Sequence, residues 1–134
     1  MEVRVQSLRT RTDAELFMQE IRSCVSRTAT RSIICADHRA APIYPPVVVS
    51  QLIALFASIN PHVDRAGLLI APSNATLSMQ VERILRETSN PLRRMFFDPD
   101  EMAAWLAEIQ TETEASRMRA FLGRGRRTGW PAPL

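Results

Sequence analysis

The sequence predicts an α/β fold, with a small, mainly parallel four-stranded sheet and about four covering helices. Two short apolar runs, at residues 33–36 and 67–71, are continuous rather than alternating, which is typical of strands buried on both faces of a parallel sheet. Amphipathic segments of helical length separate such runs, as crossovers between parallel strands require. With 134 residues, 46% of them hydrophobic, the chain is large enough to bury one core. We therefore place an α/β domain at residues 1–110, and a helical extension with an irregular or disordered Arg-, Gly- and Pro-rich tail at residues 111–134.

The first elements are a short strand and a helix. Val3 and Val5 alternate with polar neighbours, which predicts a strand with one covered face. Thr12 and Glu15 have the spacing of a capping box, which predicts that a helix begins there and runs to about residue 28. The expected apolar stripe of this helix consists of Ala14, Phe17, Ile21, Cys24 and Val25.

The rest of the domain alternates strands with helices. In chain order we expect a strand at residues 33–36, a helix at 47–59, a strand at 67–71, a helix at 74–88, a strand at 95–97 and a final helix after residue 98. Asp98 is the expected N-cap of the final helix, Pro99 takes its first turn and Glu101 completes a capping box. The buried stripe of that helix should comprise Met102, Trp105, Leu106 and Ile109.

Composition excludes several classes of protein. All 17 basic residues are arginine, so Schiff-base chemistry and a Walker-type phosphate loop are excluded. Cys24 and Cys35 are too few for a disulfide framework and fall at predicted core positions. The start of the chain lacks a signal-peptide pattern, and the apolar segment near residue 50 is too short to span a membrane. We therefore expect a cytoplasmic protein.

Four features carry a family resemblance. They are the leading strand with its Thr12–Glu15 helix start, the strand that ends in Ala36-Asp37-His38-Arg39, the Gly67–Ala71 strand, and residues 95–106. In order and spacing they resemble a STAS-like domain, the group of anti-sigma-factor antagonists and their SpoIIAA-like bacterial relatives. The resemblance covers residues 1–110 and implies a regulatory or scaffold protein that acts by binding other proteins.

Two departures from that family matter. STAS domains usually begin with two strands, whereas only one fits before the first helix here. Antagonists of the family also carry a phosphorylatable serine at the start of the helix after the strand that residues 33–37 match. Because residues 38–46 contain neither serine nor threonine, we expect no control by phosphorylation at that junction.

Polar side chains follow three predicted strands, at the edge where parallel sheets commonly bind ligands. These residues are Asp37, His38, Arg39, Ser73, Asn74 and Asp98. Together with the N–H groups of helix N-termini, they would favour an anionic or amphipathic small molecule. The alternative is structural, with Ser73 or Asn74 and Asp98 acting as helix caps. Asp37 would then pair with Arg39 or with loop amides.

No charged side chain occurs from residue 40 to residue 61, although 23% of the chain is charged. The helix at residues 47–59 has a complete apolar stripe without Val47 and Leu55, and its remaining face offers no charge to solvent. Either other parts of the chain, such as the segment after residue 110, cover this helix, or it packs against another protein, since interface cores are depleted in charge. In the second case the interface comprises Tyr44, Val47, Ser50, Gln51, Ala54, Leu55 and Ser58.

Catalysis has little basis in the sequence. His38 beside Asp37 is the adjacent pair of suitable types, but neighbouring residues at a strand end point apart. The two histidines and the scattered acids lack the spacing of a zinc site. We expect no catalytic activity, no cofactor and no metal.

Three hypotheses for the function remain. The leading one is a non-catalytic module that binds a protein partner, including a second copy of itself, through the uncharged helix. The second is a small-ligand sensor at the sheet edge. The third is binding of nucleic acid or an anionic membrane surface by the tail, the alternative being a solvated tail. The candidate anion-binding residues are Arg119, Arg124, Arg126 and Arg127.

Overall fold

The computed structural model describes residues 1–28 and 30–128, with side chains described as far as residue 124. These residues form four strands, five α-helices and a short 3-10 helix at Asn60–His62. In chain order the strands and α-helices are β1 (Glu2–Arg4), α1 (Arg11–Ser26), β2 (Ser32–Asp37), α2 (Pro46–Ile59), β3 (Val63–Leu69), α3 (Ala75–Thr88), β4 (Arg93–Phe96), α4 (Pro99–Ala107) and α5 (Glu112–Thr128). All strands pair in parallel, in the order β1-β2-β3-β4. The predicted α/β class with a four-stranded parallel sheet is therefore confirmed.

Each strand lies beside the strand that precedes it in the chain, so the sheet is wound in one direction. Because crossovers between parallel strands are right-handed, α1, α2 and α3 share one face of the sheet. On that face α2 packs between α1 and α3. The helices α4 and α5 pack against each other on the opposite face, with α4 over β3 and α5 over β1 and β2.

The start of α1 differs from the prediction. Asp13 N–H donates to Thr10 Oγ1 (3.1 Å) and Thr10 N–H donates to Asp13 Oδ2 (3.2 Å), which forms a capping box. The predicted box of Thr12 and Glu15 is wrong, because Thr12 already lies inside the first turn of the helix. The buried residues of α1 are Ala14, Met18, Ile21 and Val25, whereas Phe17 and Cys24 are only partly buried.

A separate fifth helix replaces the expected extension of α4. Glu114 N–H donates to Thr111 Oγ1 (3.2 Å) and Thr111 N–H donates to Glu114 Oε1 (2.8 Å), so α5 has a capping box of its own. Because α4 ends at Ala107, Ile109 is exposed rather than buried as predicted. Residues 112–122 contribute to the core of the second face, where Met118, Phe121 and Leu122 pack with Cys35, Leu69 and Met102.

Gly67 in β3 marks the closest approach of α4 to the sheet. A Cβ atom on Gly67 would lie 2.7 Å from both Cγ and Sδ of Met102, closer than carbon atoms pack. Met102 is fully buried and is the centre of the α4 packing stripe. The missing side chain of Gly67 therefore sets how closely α4 covers β3.

Candidate functional site

The carboxyl ends of β2, β3 and β4 meet at one edge of the sheet, as the sequence predicts. His38 N–H donates to Leu69 O (2.8 Å), and Ile70 N–H donates to Phe96 O (2.9 Å). These two hydrogen bonds continue the pairing of the three strands beyond their last ladder residues. What the edge can bind depends on where each of its side chains points.

Asp37 turns its carboxylate towards two arginines of the same chain. It accepts three hydrogen bonds from Arg39, from the backbone N–H (3.0 Å), Nε (3.0 Å) and Nη2 (2.9 Å), and a longer one from Arg4 Nε (3.5 Å). Burial opposes ionisation of this carboxyl, but the bonds from Arg39 outweigh it and hold the pKa of Asp37 below its usual range. We call these three residues the Asp37 cluster.

The Asp37 cluster fastens α5 to the sheet. Arg39 Nη2 donates to Leu122 O (2.8 Å), and Arg4 Nη2 donates to Phe121 O (2.8 Å). The guanidinium of Arg4 also lies 4.2 Å from the centroid of the Phe121 ring. Asp37 and Arg39, whose charges are predicted to bind a ligand, are thus engaged with each other. Arg39 and Arg4 also donate to two successive backbone carbonyls of α5.

His38 points to the opposite face of the sheet, away from Asp37. Its side chain is 5% exposed, Nδ1 has no hydrogen-bond partner among the described residues, and burial lowers its pKa to about 4. Its ring meets Tyr44 edge-on, with centroids 6.3 Å apart, and the Tyr44 hydroxyl is likewise buried without a partner in the described part of the chain. The histidine is therefore neutral at pH 7 and forms no dyad with Asp37.

The remaining polar residues of the edge mainly form hydrogen bonds with backbone groups. Asn74 Oδ1 accepts from Leu77 N–H (3.1 Å) and its Nδ2 donates to Ala41 O (3.2 Å), so it caps α3 and holds the loop before α2. Asp98 caps α4 by accepting from Asp100 N–H (2.9 Å). Ser73 is exposed at the same edge. The contacts of Asn74 and Asp98 match the alternative prediction, in which these residues are helix caps rather than ligand-binding groups.

Two of the residues assigned to an interface on α2 lie in the core. Leu55 is 0% exposed and Tyr44 is 2% exposed, so neither reaches another protein, and the prediction for both is wrong. The physical reason is that α2 is the central helix of three, with the sheet beneath it and α1 and α3 at its sides. The surplus Leu55 is therefore covered by the sheet and the neighbouring helix α1, not by the segment after residue 110.

The rest of that predicted interface remains accessible, and we call it the outer stripe of α2. It consists of Val47, Ser50, Gln51, Ala54 and Ser58. Ser50, Ala54 and Ser58 are exposed, whereas Val47 and Gln51 are partly buried. Gln51 and Ser58 touch α1, through hydrogen bonds to Arg11 O (3.3 Å) and from Arg22 Nε (3.5 Å).

Two exposed apolar residues that the sequence reasoning missed lie next to a contact between α3 and the loop before α2. Gln80 accepts from Tyr44 N–H (2.8 Å) and its Nε2 donates to Tyr44 O (2.7 Å), which fixes the loop before α2 against α3. The neighbouring residues Ile43 and Met79 are 54% and 69% exposed. Ile43 lies in a loop and Met79 on the polar side of α3, so helical periodicity singles out neither.

A small apolar cavity of about 40 Å³ lies beneath α2, with His38 and Arg93 in its wall. Arg93 donates to Phe56 O (3.0 Å) and to Asn60 Oδ1, and burial lowers its pKa to about 10. Sites for metabolites usually measure several hundred Å³. This cavity is therefore a packing void of the core rather than a metabolite pocket.

The predicted tail is only partly covered by the described residues. Arg119 and Arg124 are exposed on α5, while the side chains of Arg126 and Arg127 lie outside the described ones. Within the described chain no three His, Cys, Asp or Glu side chains are placed to hold a metal ion, and no helix there combines the length and apolarity needed to cross a membrane. Comparison with known proteins finds no match to this chain among family models, curated proteins or solved structures.

Proposed function

We propose that this chain is a non-catalytic, STAS-like protein-interaction module, a bacterial regulatory or scaffold component that binds through the outer stripe of α2. The observation that carries the proposal is the composition of that surface. A helix of 14 residues exposes part of its length without one charged side chain. Interface cores are depleted in charge, whereas helices that face only solvent are not.

The neighbouring helices α1 and α3 differ from α2 because they expose charged side chains. On α1 the exposed residues include Arg11, Glu15 and Arg22, and on α3 they include Glu82 and Arg83. The outer stripe of α2 is thus a neutral band between two charged helices. Ile43, in the loop that leads into α2, and Met79, next to the Gln80 that binds this loop, add exposed apolar surface that a partner would bury.

The shape of the stripe favours a helix as the contacting element. Ser50, Ala54 and Ser58 are spaced four residues apart, so small side chains follow one another along the exposed face. Rows of small residues let the backbones of two helices approach closely. A second α2 provides the same surface, and a second copy of the chain is therefore the first partner to test.

The alternatives have weaker support. The small-ligand hypothesis relied on Asp37, His38 and Arg39, whose charged or polar groups are engaged inside the protein or buried. The tail hypothesis relied partly on Arg126 and Arg127, whose side chains lie outside the described ones. Contact through α2, by contrast, uses side chains that are already exposed and requires no internal contact to break.

Light scattering after size-exclusion chromatography tests self-association. Ala54→Glu places a charge on the outer stripe, and Ala104→Glu makes the same change at an exposed position of α4, on the opposite face. We expect Ala54→Glu, but not Ala104→Glu, to lower the average mass. A photo-crosslinking amino acid at position 54, with position 104 as control, tests contact with a different protein in cells. Equal masses together with no crosslink specific to position 54 would contradict the proposed function.

A further inference from the structure

β1 is an edge strand, paired on one side only within the described chain. Met1 O accepts from Cys35 N–H (2.9 Å) and Val5 N–H donates to Asp37 O (2.9 Å). Since backbone groups alternate along a strand, Met1, Val3 and Val5 direct theirs towards β2. The N–H and C=O groups of Glu2 and Arg4 then point to the open edge.

A groove accompanies this edge. One cavity of about 280 Å³ is bounded by residues 1–4 and, on α1, by Phe17, Glu20, Ile21 and Cys24. A second, of about 230 Å³, shares Met1 and Cys24 with the first and continues towards Arg117 on α5. Only the first cavity borders β1 itself, and its lining includes each residue of the strand, so accessible space lies between β1 and α1.

We propose that β1 pairs with β1 of a second copy of this chain, antiparallel and centred on Val3. In that register Glu2 lies opposite the Arg4 of the other copy, and the two residues exchange backbone N–H···O=C bonds twice by symmetry. The two sheets then form one continuous sheet of eight strands. This surface is distinct from α2, and the inference does not depend on the proposed function.

Charge complementarity is what selects a second copy as the occupant. The sequence Glu2-Val3-Arg4 is its own complement when reversed, so each acid meets a base across the two-fold axis, an arrangement that stabilises cross-strand pairs. Both charged side chains lie on the α5 face, Glu2 beside Arg117 Nε (2.8 Å) and Arg4 over Phe121. The side chain of Val3 lies on the other face, beside Phe17 and Ile21.

Disulfide trapping in the full-length chain tests the register. In the proposed register Val3 lies opposite Val3 of the other copy as a non-hydrogen-bonded pair. The Cα atoms of such a pair are about 4.5 Å apart, which is within the range that a disulfide spans. With Cys24→Ser removing the native thiol in the groove, Val3→Cys should crosslink into a dimer under mild oxidation. Ala104→Cys, on an exposed face of α4, is the matched control and should form no disulfide crosslink under the same conditions.

Charge reversal tests the complementarity. Glu2→Arg places arginine opposite Arg4 of the other copy and should weaken dimerisation by tenfold or more, with circular dichroism to verify that the variant is folded. Crosslinking at position 3 should persist when Ala54→Glu is added, which separates this contact from the one proposed for α2. The inference is overturned if Val3→Cys crosslinks no better than Ala104→Cys, or if folded Glu2→Arg dimerises as well as the wild type.

Discussion

Asp37 and Arg39, two residues apart at the end of β2, form the most connected ion pair of the described chain. The carboxylate accepts from both the backbone and the guanidinium of Arg39, and the same guanidinium continues to Leu122 O on α5 (2.8 Å). A charge in the core is stable only when it is paired and hydrogen-bonded. The pair therefore contributes both to the stability of this edge and, with Arg4, to the attachment of α5.

Asp37→Asn should destabilise the protein by about 2–4 kcal/mol, because Arg4 and Arg39 lose their buried counter-charge. Chemical denaturation at pH 7 measures this, and hydrogen exchange should show faster opening of residues 112–122. Asp64→Asn removes an exposed partner of Arg31 and is the matched control, with an expected change within about 0.5 kcal/mol. Similar effects of the two substitutions would contradict this role of Asp37.

The same carboxylate gives stability a defined dependence on acid. Because the folded pKa of Asp37 lies below the ordinary 3.8, its contribution is full above that pH and is lost as pH falls through the folded pKa. The difference between wild type and Asp37→Asn should therefore shrink below about pH 4.

Because of His38, the free energy of unfolding should decrease as the pH falls from 7.5 to 5. Its pKa is about 4 in the folded protein against 6.5 ordinarily, so in this range the unfolded chain takes up a proton that the folded one refuses. The stability present above pH 6.5 falls by about 2 kcal/mol at pH 5. Denaturation of His38→Phe at both pH values should show a smaller loss, whereas exposed His62→Gln should behave as the wild type.

Gly67→Ala should cost about 1–3 kcal/mol, since its methyl group would overlap the buried side chain of Met102. Gly123→Ala is the control, because a Cβ there meets nothing within 4 Å and alanine favours the helix. Thermal unfolding should therefore shift in opposite directions for the two variants. A neutral Gly67→Ala would mean that the Met102 side chain or α4 shifts at little cost, and would contradict this role of Gly67.

Gln80→Ala should destabilise the protein by about 1–3 kcal/mol, because both backbone groups of buried Tyr44 lose their partner. The amide of Tyr44 should also exchange faster with solvent. Met79→Ala, at the adjacent exposed position, should change stability by less than about 0.5 kcal/mol. Slow exchange at Tyr44 in Gln80→Ala would show that the loop before α2 is held by other contacts.

The sequence predicts β2 and β3 from continuous apolar runs, β1 from the alternation of Val3 and Val5 with polar residues, and β4 from the short apolar run before Asp98. The order in which the strands pair was not predicted. Tyr44 and Leu55 were misassigned because periodicity reveals which side of a helix is apolar, but not how many neighbours surround the helix. The capping box of α1 was misplaced because Thr10 with Asp13 and Thr12 with Glu15 are overlapping candidates of equal spacing. The contacts of Arg4 and Arg39 with α5 span 117 and 83 residues of sequence, a separation at which local patterns carry no signal.

The attachment of α5 to β1 also has a consequence for the order of folding during synthesis. β1 and its successors pair between neighbours in the sequence, so the sheet can assemble progressively as the chain emerges from the ribosome. The ion pair of Arg117 with Glu2 and the bonds of Arg4 and Arg39 to α5 join this last helix to β1 and to the end of β2. Until α5 has been made, Cys35 and Leu69 lack part of their cover, and the nascent domain presents an open apolar face to chaperones.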